Sequence, residues 1–311
     1  MKILLPAAQR PILQPGLPDG VEPLWWHDLD EAARLIPDAE CAWLDLMGIR
    51  HIGPVVALGE RLKWLSTMAA GVESLDLALL RRRGITLTNG SGLNAAAVAD
   101  YAVLGILAAA KRYDEVVRAT DRHQWTDVAP GQGELEGSRA LIVGQGHIGD
   151  LIARRLRAFD VEVTGVTRSG RDATLSSDQW RARLGDFDWV ILAAPATDAT
   201  RAMIGADELA AMKPTAWLIN IARGDLIDQP ALIAALRAGT IAGAFLDTVS
   251  PEPLPADDPL WDAPNCLLSM HLSGRSQTSM MNRAAHLFLE NARAWCAGTP
   301  MRNVVDLGAG Y

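Results

Sequence analysis

The chain has 311 residues, more than one hydrophobic core usually contains, so two domains are expected. Its net charge of −8 and its pI near 5.3 oppose nucleic acid as a natural partner. The best apolar run, residues 102–110, is about half of the roughly 20 residues that a membrane span needs. Pro6 interrupts the apolar start of the chain, which argues against a signal peptide. We expect a cytoplasmic protein that contacts no membrane.

The three cysteines give no sign of a metal centre or of a disulfide framework. Cys41, Cys266 and Cys296 lie far apart, without Cys-x-x-Cys or Cys/His ligand spacing. We therefore predict no metal site and a reducing environment.

The first hundred residues predict a small α/β unit. Short apolar strands alternate with helical patterns, and we place these strands at 41–44, 62–66 and 85–88. Residues 94–113 are rich in Ala and Leu at helical spacing and are long enough to link two domains. A polar stretch with Gly and Pro, residues 127–137, is the clearest internal seam.

Beyond this seam the chain predicts a second, larger sheet. Six strand candidates follow, mostly separated by helical patterns, at 140–143, 161–166, 189–193, 216–221, 243–246 and 266–269. Such βα alternation is typical of a doubly wound parallel sheet. The last helical stretch, residues 283–297, leads to a tail at 302–306 that is expected to return to the first domain.

A glycine-rich turn opens this second series. A Gly-x-Gly-x-x-Gly spacing is informative only between a strand and a helix, and Gly144, Gly146 and Gly149 stand between an apolar run and an amphipathic stretch. The first glycine permits the tight turn, the second lets the backbone approach a pyrophosphate, and the third lets helix and strand pack closely. We place His147 and Ile148 in the same cofactor-binding turn and assign no chemistry to the histidine side chain. The alternative is an ordinary Gly-rich βα turn.

The end of the next predicted strand indicates which dinucleotide is bound. A site for NAD usually has Asp or Glu there, to bind the ribose 2′-hydroxyl. This chain has Thr167, Arg168, Ser169 and Arg171 instead. Because arginine clamps a phosphate that a carboxylate would repel, we predict NADPH over NADH. The alternative is a solvated basic loop.

Three downstream segments at predicted strand ends each contain an ionisable residue: Arg223, Glu252 and His271. Singly, they could be a surface ion-pair partner, a solvated loop acid and a strand-end histidine. Jointly, with separations of 29 and 19 residues, they resemble the Arg/Glu/His set of the D-isomer-specific 2-hydroxyacid dehydrogenases. The resemblance covers most of the chain. The arginines after the second strand are most similar to the NADPH-dependent glyoxylate/hydroxypyruvate reductase branch.

This resemblance implies a fold. We expect a Rossmann doubly wound parallel sheet, residues 100–283, inserted into a smaller flavodoxin-like α/β substrate domain formed by residues 1–99 and 284–311. It also implies a homodimer and a small 2-keto acid as substrate.

The resemblance implies roles as well. His271 would donate a proton to the substrate oxygen, because imidazole titrates near neutral pH, and Glu252 would bind the other ring nitrogen and favour the imidazolium. Arg223 would bind the substrate carboxylate and polarise its carbonyl. In the first domain, backbone N–H groups of Ala70, Gly71 and Val72 would bind the same carboxylate, and Asn94 would touch the substrate or brace the cleft. The remaining residues expected near the cofactor are Pro195, Ala222 and Asp247.

One departure from the family pattern, one difference from the formate dehydrogenases and two competing functions bear on this assignment. Met270 precedes His271 where the family usually has proline, which leaves the placement of the histidine open. Glu252 stands where formate dehydrogenases have Gln, which argues against formate oxidation. Trp43 and Met47 are expected either to line the substrate pocket or to pack in the core. A dinucleotide-sensing corepressor-like protein and a short 3-phosphoglycerate dehydrogenase are the competing functions.

Overall fold

The computed structural model describes residues 1–170, 174–275 and 277–308, and its chain forms two compact units. Unit 1 comprises Met1–Asn94 and Gln277–Tyr311, and unit 2 comprises Ala95–Ser276. The predicted boundaries, after residues 99 and 283, lie inside two long helices, Ala95–Lys111 and Met280–Ala297. The division in the structure falls before each helix, since a helix packs as one rigid element.

Unit 1 is built on a five-stranded parallel sheet with the order β2-β1-β3-β4-β5. This is the strand order of flavodoxin-like folds, so the predicted fold class of this unit is confirmed. The strands are β1 (Lys2–Pro6), β2 (Glu22–Trp26), β3 (Cys41–Trp43), β4 (Trp64–Ser66) and β5 (Thr86–Thr88).

The two strands β1 and β2 are absent from our prediction, which has three strands in this region. Pro23 lies inside β2, and a proline weakens a strand assignment because it cannot donate to the ladder. The structure places β2 at the edge of the sheet, where one side of the strand needs no partner. β1 lies next to it, and its residues Ile3, Leu4 and Leu5 are fully buried.

Five helices lie in the part of unit 1 that the structure describes. The longest of them packs Phe288 against the rings of Trp43 and Trp64, with centroid distances of 5.7 and 5.1 Å. The tail then pairs with β5, since Val305 N donates to Leu87 O at 2.9 Å, which confirms the predicted return to the first domain. These helices are α1 (Arg10–Leu13), α2 (Leu29–Leu35), α3 (Gly53–Leu58), α4 (Leu77–Arg83) and α10 (Met280–Ala297).

Unit 2 is built on a six-stranded parallel sheet with the order β11-β10-β9-β8-β6-β7. All six strands lie where the sequence predicts them, and the doubly wound fold is confirmed. A single parallel bridge from Val166 to Leu175 continues the sheet beyond β7. The strands are β6 (Arg139–Val143), β7 (Glu162–Val166), β8 (Trp189–Leu192), β9 (Trp217–Asn220), β10 (Gly243–Leu246) and β11 (Cys266–Leu268).

Helices cover both faces of this sheet, and one of them approaches it closely. Gly105 in α5 lies so near the ring of Phe245 that an added Cβ would be 2.4 Å from it. A glycine in mid-helix is unfavourable in itself, so close helix–sheet packing explains this one. The helices are α5 (Ala95–Lys111), α6 (Tyr113–Asp121), α7 (His147–Arg157), α8 (Ala206–Ala211) and α9 (Gln229–Ala238).

Within the described ranges, no helix combines the length and the apolar character that a membrane crossing requires. Short 3-10 helices connect many of the elements at Ala7–Gln9, Gln14–Gly16, Ile36–Asp38, Asp45–Met47, Ile49–His51, Arg181–Asp186, Gly224–Leu226 and Ser273–Arg275.

Candidate active site

The strand ends of unit 2 bring the predicted site residues to one edge of its sheet. All pairings in the sheet are parallel, so the carboxyl ends of the strands lie at the same edge. The strand order reverses between β6 and β8, the position at which doubly wound sheets bind their ligands.

The glycine turn at the end of β6 depends on close backbone contacts. Gly144 has a φ of 102°, and a Cβ on it would lie 2.5 Å from Ala194 N. A Cβ on Gly149 would lie 2.5 Å from Gly144 O. Pro195 follows this contact, is exposed, and accepts a hydrogen bond through its carbonyl from Thr200 Oγ1 at 2.7 Å. The turn and the β8 loop therefore adjoin.

Gly146 differs from the other two glycines. Its φ is −104°, which other residues adopt freely, and among the described residues no atom lies within 4 Å of a Cβ placed on it. It is the N-cap of α7, and the His147 side chain beside it is exposed, while Ile148 is half-buried. Neither the backbone conformation nor the packing of the protein requires glycine at this position.

The loop after β7 contains the residues predicted to select the dinucleotide. Thr167 Oγ1 lies 2.8 Å from Thr174 Oγ1 and accepts from Gly170 N at 3.1 Å, so this hydroxyl braces the loop. Arg168 and Ser169 are exposed. Arg171 lies outside the described residues.

His271 and Glu252 form a direct pair. His271 Nδ1 lies 2.7 Å from Glu252 Oε2, and the two side chains are 39% and 23% exposed. Val249 N donates to the other carboxylate oxygen at 3.3 Å. The structure thus brings His271 and Glu252 together, with Nε2 as the other ring nitrogen of the histidine.

Asp247 anchors the loop that carries His271. The residue is 1% exposed, and its Oδ1 accepts from Ser269 Oγ at 2.7 Å and from Leu272 N at 2.9 Å. Ser273 adds bonds from its N and its hydroxyl, and His271 N donates to the Asp247 carbonyl at 2.6 Å. These contacts tie the aspartate to the histidine loop, whereas the sequence predicts it near the cofactor. Our prediction gave Ser269 and Ser273 no role, although both lie in the segment that contains His271.

The backbone at the end of β11 explains the departure at Met270. Met270 and His271 both have left-handed backbones, with φ of 53° and 54°. A proline ring fixes φ near −65°, so the proline that the family usually has cannot occupy this conformation. Methionine permits this left-handed conformation, in which His271 lies against Glu252.

Arg223 lies in a loop shaped by Asn220. Asn220 is fully buried at the end of β9, donates from Nδ2 to Arg223 O at 2.9 Å, and accepts from Ala222 N at 3.1 Å. Arg223 itself is half-buried, and its Nη1 donates to Ala222 O at 2.8 Å.

Gly224 brings the Arg223 loop against the Glu252 loop. A Cβ on Gly224 would lie 2.0 Å from the carbonyl carbon of Val249, so only glycine permits this approach. Our prediction gave neither Asn220 nor Gly224 a role, although both lie within three residues of Arg223.

Unit 1 contains the remaining predicted residues. Ala70 is exposed, Gly71 is half-buried and Val72 is buried. Asn94 Oδ1 accepts from Gln277 Nε2 at 2.7 Å, so its amide braces this unit.

The two residues for which the sequence left a choice between pocket and core differ in burial. Trp43 is 1% exposed and stacks on Phe288, whereas Met47 is 61% exposed. Trp43 is therefore a packing residue.

Neither a thiolate nor a metal cluster is evident near the described site residues. Burial raises the pKa of the Cys266 thiol in β11 to about 12, so this cysteine is not a nucleophile at neutral pH. Among the described residues, no group of three or more His, Cys, Asp or Glu side chains could hold a metal ion.

Comparison with known proteins assigns the family. Residues 103–273 match the model of the D-isomer specific 2-hydroxyacid dehydrogenase, NAD binding domain. The chain belongs to the D-isomer-specific 2-hydroxyacid dehydrogenases. It is 34% identical over 264 residues to the human glyoxylate reductase/hydroxypyruvate reductase, an alignment that covers 81% of this chain and 79% of the human protein. Membership in this dehydrogenase family makes the chain an oxidoreductase with a nicotinamide dinucleotide-binding domain.

Solved structures of dehydrogenases in this family share the whole fold. A D-isomer specific 2-hydroxyacid dehydrogenase family protein from Aeromonas salmonicida is 28% identical with a TM-score of 0.88, and the match covers 98% of this chain and 99% of that one. An NADPH-dependent glyoxylate/hydroxypyruvate reductase from Sinorhizobium meliloti, in complex with NADP and malonate, is 26% identical with a TM-score of 0.79, covering 99% and 97%. The predicted resemblance to this branch is confirmed.

The left-handed backbone at Met270 gives a testable prediction. Met270→Pro should lower turnover of a small 2-keto acid by on the order of 100-fold, because displacing a catalytic group by about 1 Å has this effect. Met270→Gly should keep turnover and raise the free energy of unfolding by up to about 1–2 kcal/mol, since glycine adopts the left-handed region without strain. Steady-state kinetics and thermal unfolding measure both effects. Met270→Leu is the matched control, and full turnover in Met270→Pro would show that the left-handed conformation is not needed.

Proposed function

We propose that the protein reduces a small 2-keto acid, such as glyoxylate or hydroxypyruvate, to the D-2-hydroxy acid with NADPH as the hydride donor. The observation that carries this proposal is the 2.7 Å contact between His271 Nδ1 and Glu252 Oε2 at the ligand-binding edge of the unit 2 sheet. A carboxylate on one ring nitrogen leaves the other nitrogen to serve as a proton donor.

The glycine turn fits a dinucleotide. Since nothing in the protein requires glycine at position 146, close approach of a pyrophosphate accounts for the missing side chain. The N-terminus of α7 would offer its free N–H groups and the positive end of its dipole to the phosphates. Ala222 and Pro195, at neighbouring strand ends, would border the same ligand.

The protein's own part in the reaction is to hold the substrate and to supply a proton. The bound nicotinamide would supply a hydride to the carbonyl carbon. His271 would donate the proton from Nε2 to the substrate oxygen, while Glu252 stabilises the charged ring through Nδ1. Arg223 would hold the substrate carboxylate and polarise the carbonyl by charge-assisted hydrogen bonds.

In unit 1, the backbone N–H groups of Ala70, Gly71 and Val72 would bind the same carboxylate. Family resemblance supports this assignment. The exposure of Ala70 agrees with it, because a ligand can reach its peptide group.

Replacement of the histidine tests the mechanism. His271→Ala should lower kcat by roughly two or more orders of magnitude, since general acid catalysis contributes about 10²–10⁴-fold, and should leave the Kd for NADPH nearly unchanged. Glu252→Gln should cause a smaller loss, because the amide keeps a hydrogen bond but not the charge. The control is His286→Ala, an exposed histidine on α10. Wild-type turnover in His271→Ala would remove this residue from the mechanism.

The preference for NADPH rests on the exposed Arg168 and Ser169 after β7, where a carboxylate would favour NAD. A guanidinium at this position would bind the 2′-phosphate through its planar fork.

Arg168→Ala should therefore lower the ratio of kcat/KM for NADPH to that for NADH by about 10- to 100-fold, the effect of a charge-assisted hydrogen bond of about 1.5–3 kcal/mol. The control is Arg157→Ala, an exposed arginine at the end of α7. A wild-type enzyme that prefers NADH would contradict the assignment.

We also propose a homodimer, which the family resemblance implies. Helix α6 has no buried residue, and Tyr113 and Val117 on it are exposed. Leu104 on α5 is 51% exposed, and Trp125 in the following loop is 94% exposed. Exposed apolar side chains on these consecutive elements favour an interaction surface there.

The double substitution Leu104→Glu with Val117→Glu should convert the dimer to a monomer of 33.4 kDa, because a buried unpaired charge opposes association. Sedimentation velocity measures the mass. Leu58→Glu is the matched control, since Leu58 is also 51% exposed but lies in unit 1. A wild-type protein that sediments as a monomer at micromolar concentration would rule out the dimer.

A further inference from the structure

Asp45 in unit 1 is a buried carboxylate to which the mechanism above assigns no role. It begins the 3-10 helix after β3 and is 2% exposed. Burying a charge is costly unless hydrogen bonds compensate for the lost water. The surroundings of Asp45 supply several.

Four residues donate to this carboxylate. Trp43 Nε1 donates at 2.8 Å, Met68 N at 2.9 Å and Ala69 N at 3.0 Å, and the Thr67 hydroxyl makes a further bond. Burial raises the pKa of the Asp45 carboxyl above its ordinary value, and the hydrogen bonds from these residues oppose this shift. N–H groups donate to both oxygens of the carboxyl, so the side chain at this position has to present two acceptor atoms.

The other side of the same loop is held as well. Gly90 N donates to Ala69 O at 2.8 Å, and Asn89 Nδ2 donates to Ala70 O at 2.8 Å. A Cβ on Gly90 would lie 1.9 Å from Met68 O. The N–H groups of Met68 and Ala69 and the C=O groups of Ala69 and Ala70 are therefore all held by hydrogen bonds.

We propose that Asp45 is a positioning residue for the substrate. Through Thr67, Met68 and Ala69 it sets the direction of the N–H groups that follow, those of residues 70–72. In the part of the chain that the structure describes, no protein acceptor bonds these three N–H groups, which suits binding of an anion. The inference rests on the proposed function, in which these groups bind the substrate carboxylate.

A carboxyl with two acceptor oxygens is needed because an amide of the same size would present a donor to this set of donors. Asp45→Asn would place its NH₂ against an N–H group in either orientation of the amide, since Trp43 Nε1 donates to one carboxyl oxygen and Met68 N and Ala69 N donate to the other. The loop would have to move to relieve this contact.

The test combines kinetics with hydrogen exchange. In Asp45→Asn, KM for glyoxylate should rise by roughly 10- to 100-fold, while the Kd for NADPH stays unchanged because the dinucleotide-binding domain is a separate unit. Amide exchange in residues 67–72 should become at least about tenfold faster, since exchange reports local opening.

A second pair of variants tests the same contact with less risk to folding. Thr67→Val removes the hydroxyl and should raise KM for glyoxylate, whereas Thr67→Ser keeps the hydroxyl and should restore it. Asp28→Ala is the control. Asp28 caps α2 in the same unit by accepting from Glu31 N at 2.7 Å, so its loss should lower the Tm without changing KM.

The outcomes separate the two proposals. An unchanged KM and unchanged exchange in both Asp45→Asn and Thr67→Val would overturn the positioning role. The positioning role would also be overturned if Asp28→Ala raised KM in proportion to its loss of Tm, because the rise in KM would then follow from lower stability alone. If the wild-type protein reduces no 2-keto acid, the proposed function fails. In that case the positioning role is tested by amide hydrogen exchange with oxalate as the ligand. If oxalate slows exchange of the 70–72 amides in wild type but not in Asp45→Asn, the role is supported; if it slows exchange equally in both, the role is overturned.

Discussion

The carboxylate of Asp247 determines where His271 lies. It is buried at the end of β10 and binds the hydroxyls of Ser269 and Ser273 and the N–H groups after His271. β10 and β11 pair in register, with Leu246 opposite Leu268, so the aspartate is fixed beside the first residues of the loop it binds. The sheet therefore transmits its geometry to the histidine through one short chain of hydrogen bonds, and the imidazole meets Glu252 without a long flexible segment between them.

Close backbone contacts at glycines bring neighbouring strand-end loops together within each unit. A Cβ would lie 2.5 Å from Ala194 N at Gly144, 2.0 Å from the Val249 carbonyl carbon at Gly224, and 1.9 Å from Met68 O at Gly90. Each contact joins two strand-end loops, and none leaves space for a methyl group. Glycine thus permits the loops of parallel strands to adjoin, which a sheet spacing of about 4.8 Å between strands alone does not ensure.

Local patterns in the sequence predicted the parts of the structure that local patterns determine. The strand, turn and helix around Gly144 follow from hydrophobic periodicity and glycine spacing, and the family set of Arg223, Glu252 and His271 follows from motif resemblance. The β2 strand was missed because Pro23 weakens its pattern, and only the edge position explains it. The left-handed Met270 and the packing of Trp43 against Phe288 depend on contacts between distant segments, which no local window contains.

Within the described ranges, each unit has one buried aspartate that binds a strand-end loop: Asp45 in unit 1 and Asp247 in unit 2. Burial of a carboxylate costs free energy that an apolar residue would save. An amide could form a similar number of hydrogen bonds, but it can flip between donor and acceptor, whereas a carboxylate only accepts. A loop bound to a carboxylate must therefore turn its N–H and hydroxyl groups toward it, and its chain direction is fixed. For the loop that contains His271 and the loop that contains Met68 and Ala69, this single orientation gives a physical reason for a buried carboxyl group at both positions.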